Sequence, residues 1–502
     1  MRPIDSAVGD IRRKVFTEVA RLAYEGGDYS RLEELPYKII PGEVAHYRES
    51  IFLERAIVGE RLRLAIGLPL RPLAEHAPLT QGIDESAVAE KYYEPPLINI
   101  IKFACNGCPD GKYIISNGCQ CCLAHPCTEV CPKDAVSLCN DRFVIDQEKC
   151  IKCGRCKDAC PYGAVLRMER PCAKACGVNA IRSDEEGLAV INQEKCVSCG
   201  MCLVNCPFGA ISDKGQIFQL IHAINQGEKV VAIIAPAFVG QFGVKVTPNK
   251  LNAAMQQLGF DHIVEVAVGA DLCTIEEAKD FLKNVPGKQP FMGTSCCPSW
   301  SVMAKKNFPE FAEYISMSLT PMVLTARLQK KQDPNCKVVF VGPCASKKLE
   351  ASRHSVRSDV DFVLTFEELM GMFKAKEVDL DNINGDDPLT EGTAIGRGFP
   401  VSKGVAQAVV ATAKQIAPER EINVVCAEGL NECKEMLKKA KTGIYDGYLL
   451  EGMACPGGCV AGAGTLQPTK KSTILINQYK KSASLKNALK SDYTNALKSL
   501  KE

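Results

Sequence analysis

The sequence has no excess of charge of either sign. Its 61 lysines and arginines nearly balance 59 aspartates and glutamates, for a formal net charge of +2. No global field therefore favours nucleic acid or an anionic membrane. Long apolar runs are also missing, and none approaches the roughly 18 residues a membrane span needs. The opening MRPIDSAVGDIRRKVFTEVA carries acids and no apolar core, unlike a signal peptide, so a cytoplasmic protein is expected. No cysteine precedes Cys105, and Trp300 is the single tryptophan. Composition is otherwise that of a globular protein, 46% hydrophobic and 24% charged. The 502 residues are enough for roughly two to four domains.

What is present divides the chain in three. Residues 1–98 predict an α-helical N-terminal region that packs or docks without chemistry of its own. DSAVGDIRRKVFTEVARLAYEGG joins a start signal at Asp5 and Ser6 to helically spaced apolar residues and a Gly26-Gly27 stop. IFLERAIVGERLRLAIGL reads as a second amphipathic helix, and EHAPLTQGIDESAVAEKYYEPP as a connection. Residues 213–502 alternate short apolar segments (VVAIIAP, HIVEVAVGA, KVVFVGP, DFVLTF, INVVCAEG, YLLEGMAC) with helical stretches such as NKLNAAMQQLG and TIEEAKDFLKNV. That alternation predicts an α/β domain with mostly parallel sheets. SASLKNALKSDYTNALKSL predicts a last amphipathic helix on the surface.

Between these parts, residues 99–212 carry most of the 27 cysteines. The spacing and the expected compartment argue against disulfides. CIKCGRCKDACP places Cys150, Cys153, Cys156 and Cys160 at CxxCxxCxxxCP, and CVSCGMCLVNCP repeats it with Cys196, Cys199, Cys202 and Cys206. This is the bacterial ferredoxin run, in which three thiolates wrap one 4Fe–4S cube and the fourth ligates the partner cluster. A zinc ribbon would need only two CxxC pairs and no CP ending. A variant run upstream holds Cys119, Cys122, Cys127 and Cys131. A half motif, RPCAKACGVNAI, holds Cys172 and Cys176 and echoes HPCTEVCPKDAV, as an internal duplication would. Cys105 and Cys108 form another CxxC.

An α+β ferredoxin-like domain with at least three clusters follows, with a fourth left open. Two pairings are compatible with the fourth-ligand rule. In one, the two full runs exchange Cys160 and Cys206. In the other, the 119–131 run exchanges with the 150–160 run and Cys176 completes a third cluster. Cys121 and Cys139 are read as spare thiols. Several cubes form an electron wire, which needs a terminus where chemistry happens.

Three cysteine motifs lie beyond the wire: TSCCPSW with Cys296 and Cys297, GPCASKKLE with Cys344, and EGMACPGGCVAGAGTLQP with Cys455 and Cys459. Each follows a strand candidate, so they converge if α/β layers place their site at the strand ends. Side-by-side thiols suit a division of labour, because a vicinal disulfide is strained and neighbouring side chains point apart. The three motifs resemble the signatures TSCCPxW, PCxxKxxE and ExMACxxGCxxG of the iron-only (FeFe) hydrogenases, and the resemblance spans roughly residues 100–468.

The resemblance implies a two-lobed catalytic domain over 213–502. It also implies an H-cluster, a 4Fe–4S cube sharing one thiolate with a two-iron unit that carries CO, cyanide and a dithiolate bridge. Carried over by motif, Cys297, Cys344, Cys455 and Cys459 hold the cube, with Cys459 bridging, and Cys296 is the free thiol that hands on protons. Glu277, Ser316 and Asp280 match relay positions, Asp280 standing where the family usually has Glu. Lys347 is expected to donate to a bound cyanide, with Glu350 as its pairing residue. Met453 is expected to pack against the bridge, and Ala235 and Pro236 to sit beside the cyanide. The implied activity is the anaerobic reaction 2 H⁺ + 2 e⁻ ⇌ H₂, with a ferredoxin-type electron partner and separate maturation proteins for the two-iron unit.

Departures mark a divergent subgroup. Gly342 stands where Met is frequent, Ala237 where a hydroxyl residue is common, Met322 where Gln often stands, and GAGTLQP replaces GGGQP. A hydrogenase-like sensor, an iron–sulfur assembly scaffold and an electron-carrier subunit are the competing readings.

Overall fold

The computed structural model describes residues 6–385, 389 and 392–500. Asp5 lies outside them. Ser6 begins helix α1 (Ala7–Glu25): its side chain accepts from the Gly9 amide, and Gly26 at φ 63° ends the helix. Helix α2 (Ile51–Ile66) is capped in the same way by Ser50 and stopped by left-handed Gly67.

The cysteine-dense part is built from short antiparallel pairs. Its strands are β1 (Ile98–Ile100), β2 (Lys112–Ile115), β3 (Val136–Cys139), β4 (Arg142–Ile145), β5 (Val165–Met168), β6 (Ile181–Ser183), β7 (Ala189–Ile191) and β8 (Ile211–Asp213). β2 pairs with β5 and β3 with β4; β1 pairs with β8 and β6 with β7.

The rest contains strands β9 (Val230–Ile234), β10 (His262–Glu265), β11 (Met292–Gly293), β12 (Lys337–Gly342), β13 (Phe362–Thr365), β14 (Asn423–Glu428) and β15 (Tyr448–Met453). They form two parallel sheets, ordered β10-β9-β12-β13 and β11-β15-β14. β9 and β12 are apolar and buried almost throughout, as strands covered on both faces must be. Helix α3 (Ala267–Asn284) packs against α4 (Pro321–Gln332) and α5 (Gly404–Ile416).

One apolar core includes Val15, Phe16 and Val19 of α1 together with Val231, Ile233 and Phe340 of the first sheet. α1 lies on helix α6 (Phe366–Ala375), where a Cβ at Gly371 would come 2.7 Å from Phe16. A buried charge network ties the same parts together. Arg12 pairs with Glu367 at 3.0 Å, and Lys348 reaches Asp213 at 2.8 Å and Glu368 at 2.9 Å.

The expected helix over 482–500 is not there. The segment forms two short 3₁₀ turns, Ala488–Lys490 and Thr494–Leu500, after helix α7 (Thr469–Ser482). Ala488, Leu497 and Leu500 are drawn into a cluster with Val268, Leu272 and Leu324 of α3 and α4. Burial at those separate points outweighs the local helical pattern.

Candidate metal centres

A cavity of about 100 Å³ lies where the carboxyl ends of β9, β11, β12 and β15 meet. Cys297, Cys344, Cys455 and Cys459 all line it, although they come from three distant loops. Trp300 anchors the first loop. It is fully buried, and its indole N–H donates to the Thr294 carbonyl at 2.9 Å. Its ring lies on Gly452 of β15, where a Cβ would sit 2.2 Å from the ring. TSCCPSW and EGMAC are thereby locked to each other. The third loop bends at Gly458, φ 84°, where a Cβ would meet the Pro400 carbonyl at 2.7 Å.

The donor set fits an iron–sulfur cube. The Cys297, Cys455 and Cys459 thiols are all pushed up, first by burial and next by Cys344. Four thiols crowded into an apolar void gain nothing as neutral groups and repel as thiolates. Metal cations remove that conflict. The Ser346 hydroxyl lies 3.1 Å from the Cys344 sulfur.

Ala235, Pro236, Lys347 and Met453 also line the cavity. Glu350 does not: it stands behind Lys347, its carboxylate 2.6 Å from Nζ. Its place is with the lysine and not with the cofactor. Burial works against the Lys347 charge, but Glu350 and the nearby thiols outweigh it and hold the ammonium protonated. One departure from the family pattern, Gly342, has a local compensation. A Cβ at Gly342 would come 2.6 Å from the Phe340 ring, so that ring occupies the space a longer side chain would take. Phe340, Ala237 and Met322 all line the cavity.

Cys296 lines the cavity beside Cys297, Cys344, Cys455 and Cys459. Its thiol is pushed well up by burial, then by Glu277. Glu277 on α3 is fully buried. Its Oε1 accepts from the Ser295 amide at 3.0 Å, while Oε2 has no partner. Burial raises this carboxyl to about 7, against the Ser295 amide and the nearby Ser316 hydroxyl, which lower it. Cys296, Glu277 and Ser316 are thus brought together. Asp280, one turn on and half-buried, makes no hydrogen bond to them. Cys273, which sequence reasoning passed over, lies four residues before Glu277 and is equally buried.

Glu277 predicts a pH effect on stability. Its folded value, about 7, lies above its ordinary 4.5. Between these, the unfolded chain has released the proton and the folded chain has not, so the folded state binds more protons. Stability falls as pH rises through that window and levels off above it. Glu277→Gln is expected to flatten part of this slope in urea midpoints between about pH 5 and pH 8; an unchanged slope contradicts it. Asp271 and Glu451, also raised to about 7 by burial, contribute to the slope that remains.

The ferredoxin-like part presents three further four-thiol cavities. One is lined by Cys119, Cys122, Cys127 and Cys160, a second by Cys131, Cys150, Cys153 and Cys156. A third is lined by Cys105, Cys108, Cys172 and Cys206. The remaining four crowd one another: burial, then Cys176 and Cys196, pushes Cys199 to about 12, and Cys202 is raised by burial, then by Cys199, Cys196 and Cys176. Of the two pairings open from spacing, the one in which the full runs exchange Cys160 and Cys206 is not what the structure brings together. Cys160 sits with the 119–127 group, and Cys131 with the 150–156 group. Cys121 and Cys139 are exposed and line none of these cavities.

Cys199 also lines the cavity that holds Cys297, Cys344, Cys455 and Cys459. Gly200, at φ 78°, lets its loop approach: a Cβ there would come 2.6 Å from Ala463 and 3.5 Å from Ala345. The Ser299 hydroxyl donates to the Val197 carbonyl at 3.0 Å across the same seam.

Two parallel-sheet lobes closing on a four-thiol cavity, beside ferredoxin-type thiol groups, define an iron–sulfur protein. The family described as iron only hydrogenase large subunit, C-terminal domain, matches residues 228–463, and 4Fe-4S binding domains match 143–166 and 189–212. Iron hydrogenase 1 of Clostridium pasteurianum is 32% identical over 66% of this chain and 67% of its own length. The cytosolic Fe-S cluster assembly factor narfl of Danio rerio is 26% identical over 45% of this chain and 68% of its own. The chain thus spans about two thirds of the length of these relatives. A solved structure of apo [FeFe]-hydrogenase HydA1 from Chlamydomonas reinhardtii, 23% identical, aligns over 54% of this chain and 89% of its own with a TM-score of 0.45, a likeness too distant to add to the assignment. The chain belongs to the iron-only hydrogenase family, as a divergent member related also to the Fe–S assembly factors.

Proposed function

We propose that the protein is an FeFe hydrogenase that interconverts protons, electrons and dihydrogen, with a ferredoxin-type partner in an anaerobic cytoplasm. One observation carries this reading. Four thiols from three distant loops share a cavity with a fifth, Cys296, which is backed by a buried carboxyl. An assembly scaffold has no use for a thiol–carboxyl pair leading off the cofactor cavity.

When bound, the H-cluster, installed by maturation proteins, supplies the irons at which hydrogen is made or split. Cys297, Cys344, Cys455 and Cys459 would hold its cube, with Cys459 bridging to the two-iron unit. The chain does the rest. Cys296 keeps its proton because burial and Glu277 disfavour the thiolate, so it can pass a proton inward and be refilled from Glu277. Glu277, raised to about 7, exchanges protons near neutral pH, and Ser316 and Asp280 continue the path outward, Asp280 through water. Lys347, kept charged in a dry pocket, offers a compact donor to a cyanide. Ala235, Pro236 and Met453 exclude water.

The test is H₂ evolution and uptake by anaerobically matured protein with a viologen dye. Turnover in either direction is expected; fully iron-loaded protein that does neither is a scaffold or carrier. Gly200→Val should separate wire from site. Ferredoxin-driven H₂ evolution is expected to fall while H/D exchange at the site persists, because the bulk widens the seam against Ala463. An equal loss of both would contradict it.

A further inference from the structure

We propose that Cys105, Cys108, Cys172 and Cys206 ligate a fourth accessory 4Fe–4S cluster, in a ferredoxin unit that is split by the insertion of another. The strand pairing carries the first half. Residues 112–168 form one complete unit: β2 closes on β5, β3 and β4 form a hairpin, and two four-thiol groups lie between them. The same plan recurs outside it. β1 closes on β8, and β6 and β7 form the hairpin. In the inner unit the first cysteine run is continuous, from Cys119 to Cys131. In the outer unit that run begins at Cys105 and Cys108, breaks for the whole inner unit, and resumes at Cys172 and Cys176. The half motifs are the two ends of one interrupted run.

Charge carries the second half. Arg170 is 1% exposed and pairs with no carboxylate among the described residues. Its guanidinium donates to the Cys105 sulfur at 3.8 Å, to the Ser183 hydroxyl at 3.0 Å and to the Gly187 carbonyl at 2.6 Å, while Nε has no partner. A buried cation without a counter-charge is strongly unfavourable. Four thiolates around a cube supply that counter-charge. The inner unit has His125 where Arg170 stands, so the cation is specific to this site.

The site also gives the N-terminal region a task. Arg48 donates to the Ala104 and Phe208 carbonyls at 3.1 and 2.7 Å, and Arg61 to the Gly209 carbonyl at 2.5 Å. They clamp the two loops that bear Cys105 and Cys206. Cys105, Asn106, Pro207 and Phe208 line both the thiol cavity and a cleft of about 650 Å³ beneath α1 and α2. The N-terminal helices cap this fourth cluster.

The test reads iron and does not depend on hydrogenase activity. Full-length protein made without maturation proteins should carry about 20 iron atoms per chain, one cube for each of the five four-thiol groups; about 16 overturns the proposal. Cys105→Ala and Cys206→Ala should each remove the same electron paramagnetic resonance signal from the reduced protein, and Cys160→Ala a different one. If Cys105→Ala keeps every signal, or Cys206→Ala removes the one lost in Cys150→Ala, the assignment is wrong. Arg170→Met keeps all ligands and guards against misfolding of the cysteine variants. It should lower the midpoint potential of that one cluster, because reduction adds negative charge beside the lost cation. Unchanged potentials throughout overturn the Arg170 argument.

Discussion

Cys296→Ala is expected to lower H₂ turnover by about 10²–10⁴-fold, the span of a lost general acid–base group, while iron content stays unchanged. The thiol opens onto the catalytic cavity, yet no position assigned to the cube is lost. Its backbone carbonyl lies 3.4 Å from Lys347 Nζ, a contact that alanine retains, so the lysine keeps its place. Only the proton carrier goes. Cys273→Ala is the control. That thiol is fully buried and also feels Glu277, but it does not line the cavity, and turnover should persist without it. If Cys296→Ala turns over normally, protons reach the site by another path.

Trp300→Ala is expected to destabilise the protein by about 3–5 kcal/mol, the usual loss for a buried aromatic cut back to alanine, read as a lower urea midpoint. The ring is fully buried between the first cysteine loop and β15, and its removal also leaves the Thr294 carbonyl without the indole donor. Because Trp300 sets the separation between the TSCC and EGMAC loops, iron occupancy of the catalytic cavity should fall as well. Trp300→Phe keeps most of the ring and loses the hydrogen bond, so it should show a smaller loss of stability with occupancy retained. Equal stability of wild type and Trp300→Ala would mean that the loops are held by something else.

The sequence was most readable where chemistry restricts residue type. The three motifs end strands in a parallel α/β layer, and strand ends are where such layers gather a site, so their convergence was legible before the cavity was seen, while the choice of Cys297, Cys344, Cys455 and Cys459 came from the family resemblance. Pairing in the ferredoxin part was less so. Spacing cannot show that β1 returns to β8 across an inserted unit, and Cys105 and Cys108 looked like an isolated CxxC. The signal was the matched rhythm of Cys119–Cys131 and Cys105–Cys176, interrupted in the second. Phe340 was unreadable, because filling the space beside Gly342 is a matter of rotamer and neighbouring backbone. The last helix failed because its apolar residues are buried one by one by α3 and α4, which no local period reports.

The most direct measurement is an infrared spectrum of the anaerobically purified, matured wild-type protein. Bands from metal-bound CO and cyanide are expected, and they should persist in Cys296→Ala while its turnover is lost. A matured protein whose thiol sites are filled with iron, yet which shows no such bands, would contradict the account and leave an electron carrier or a scaffold.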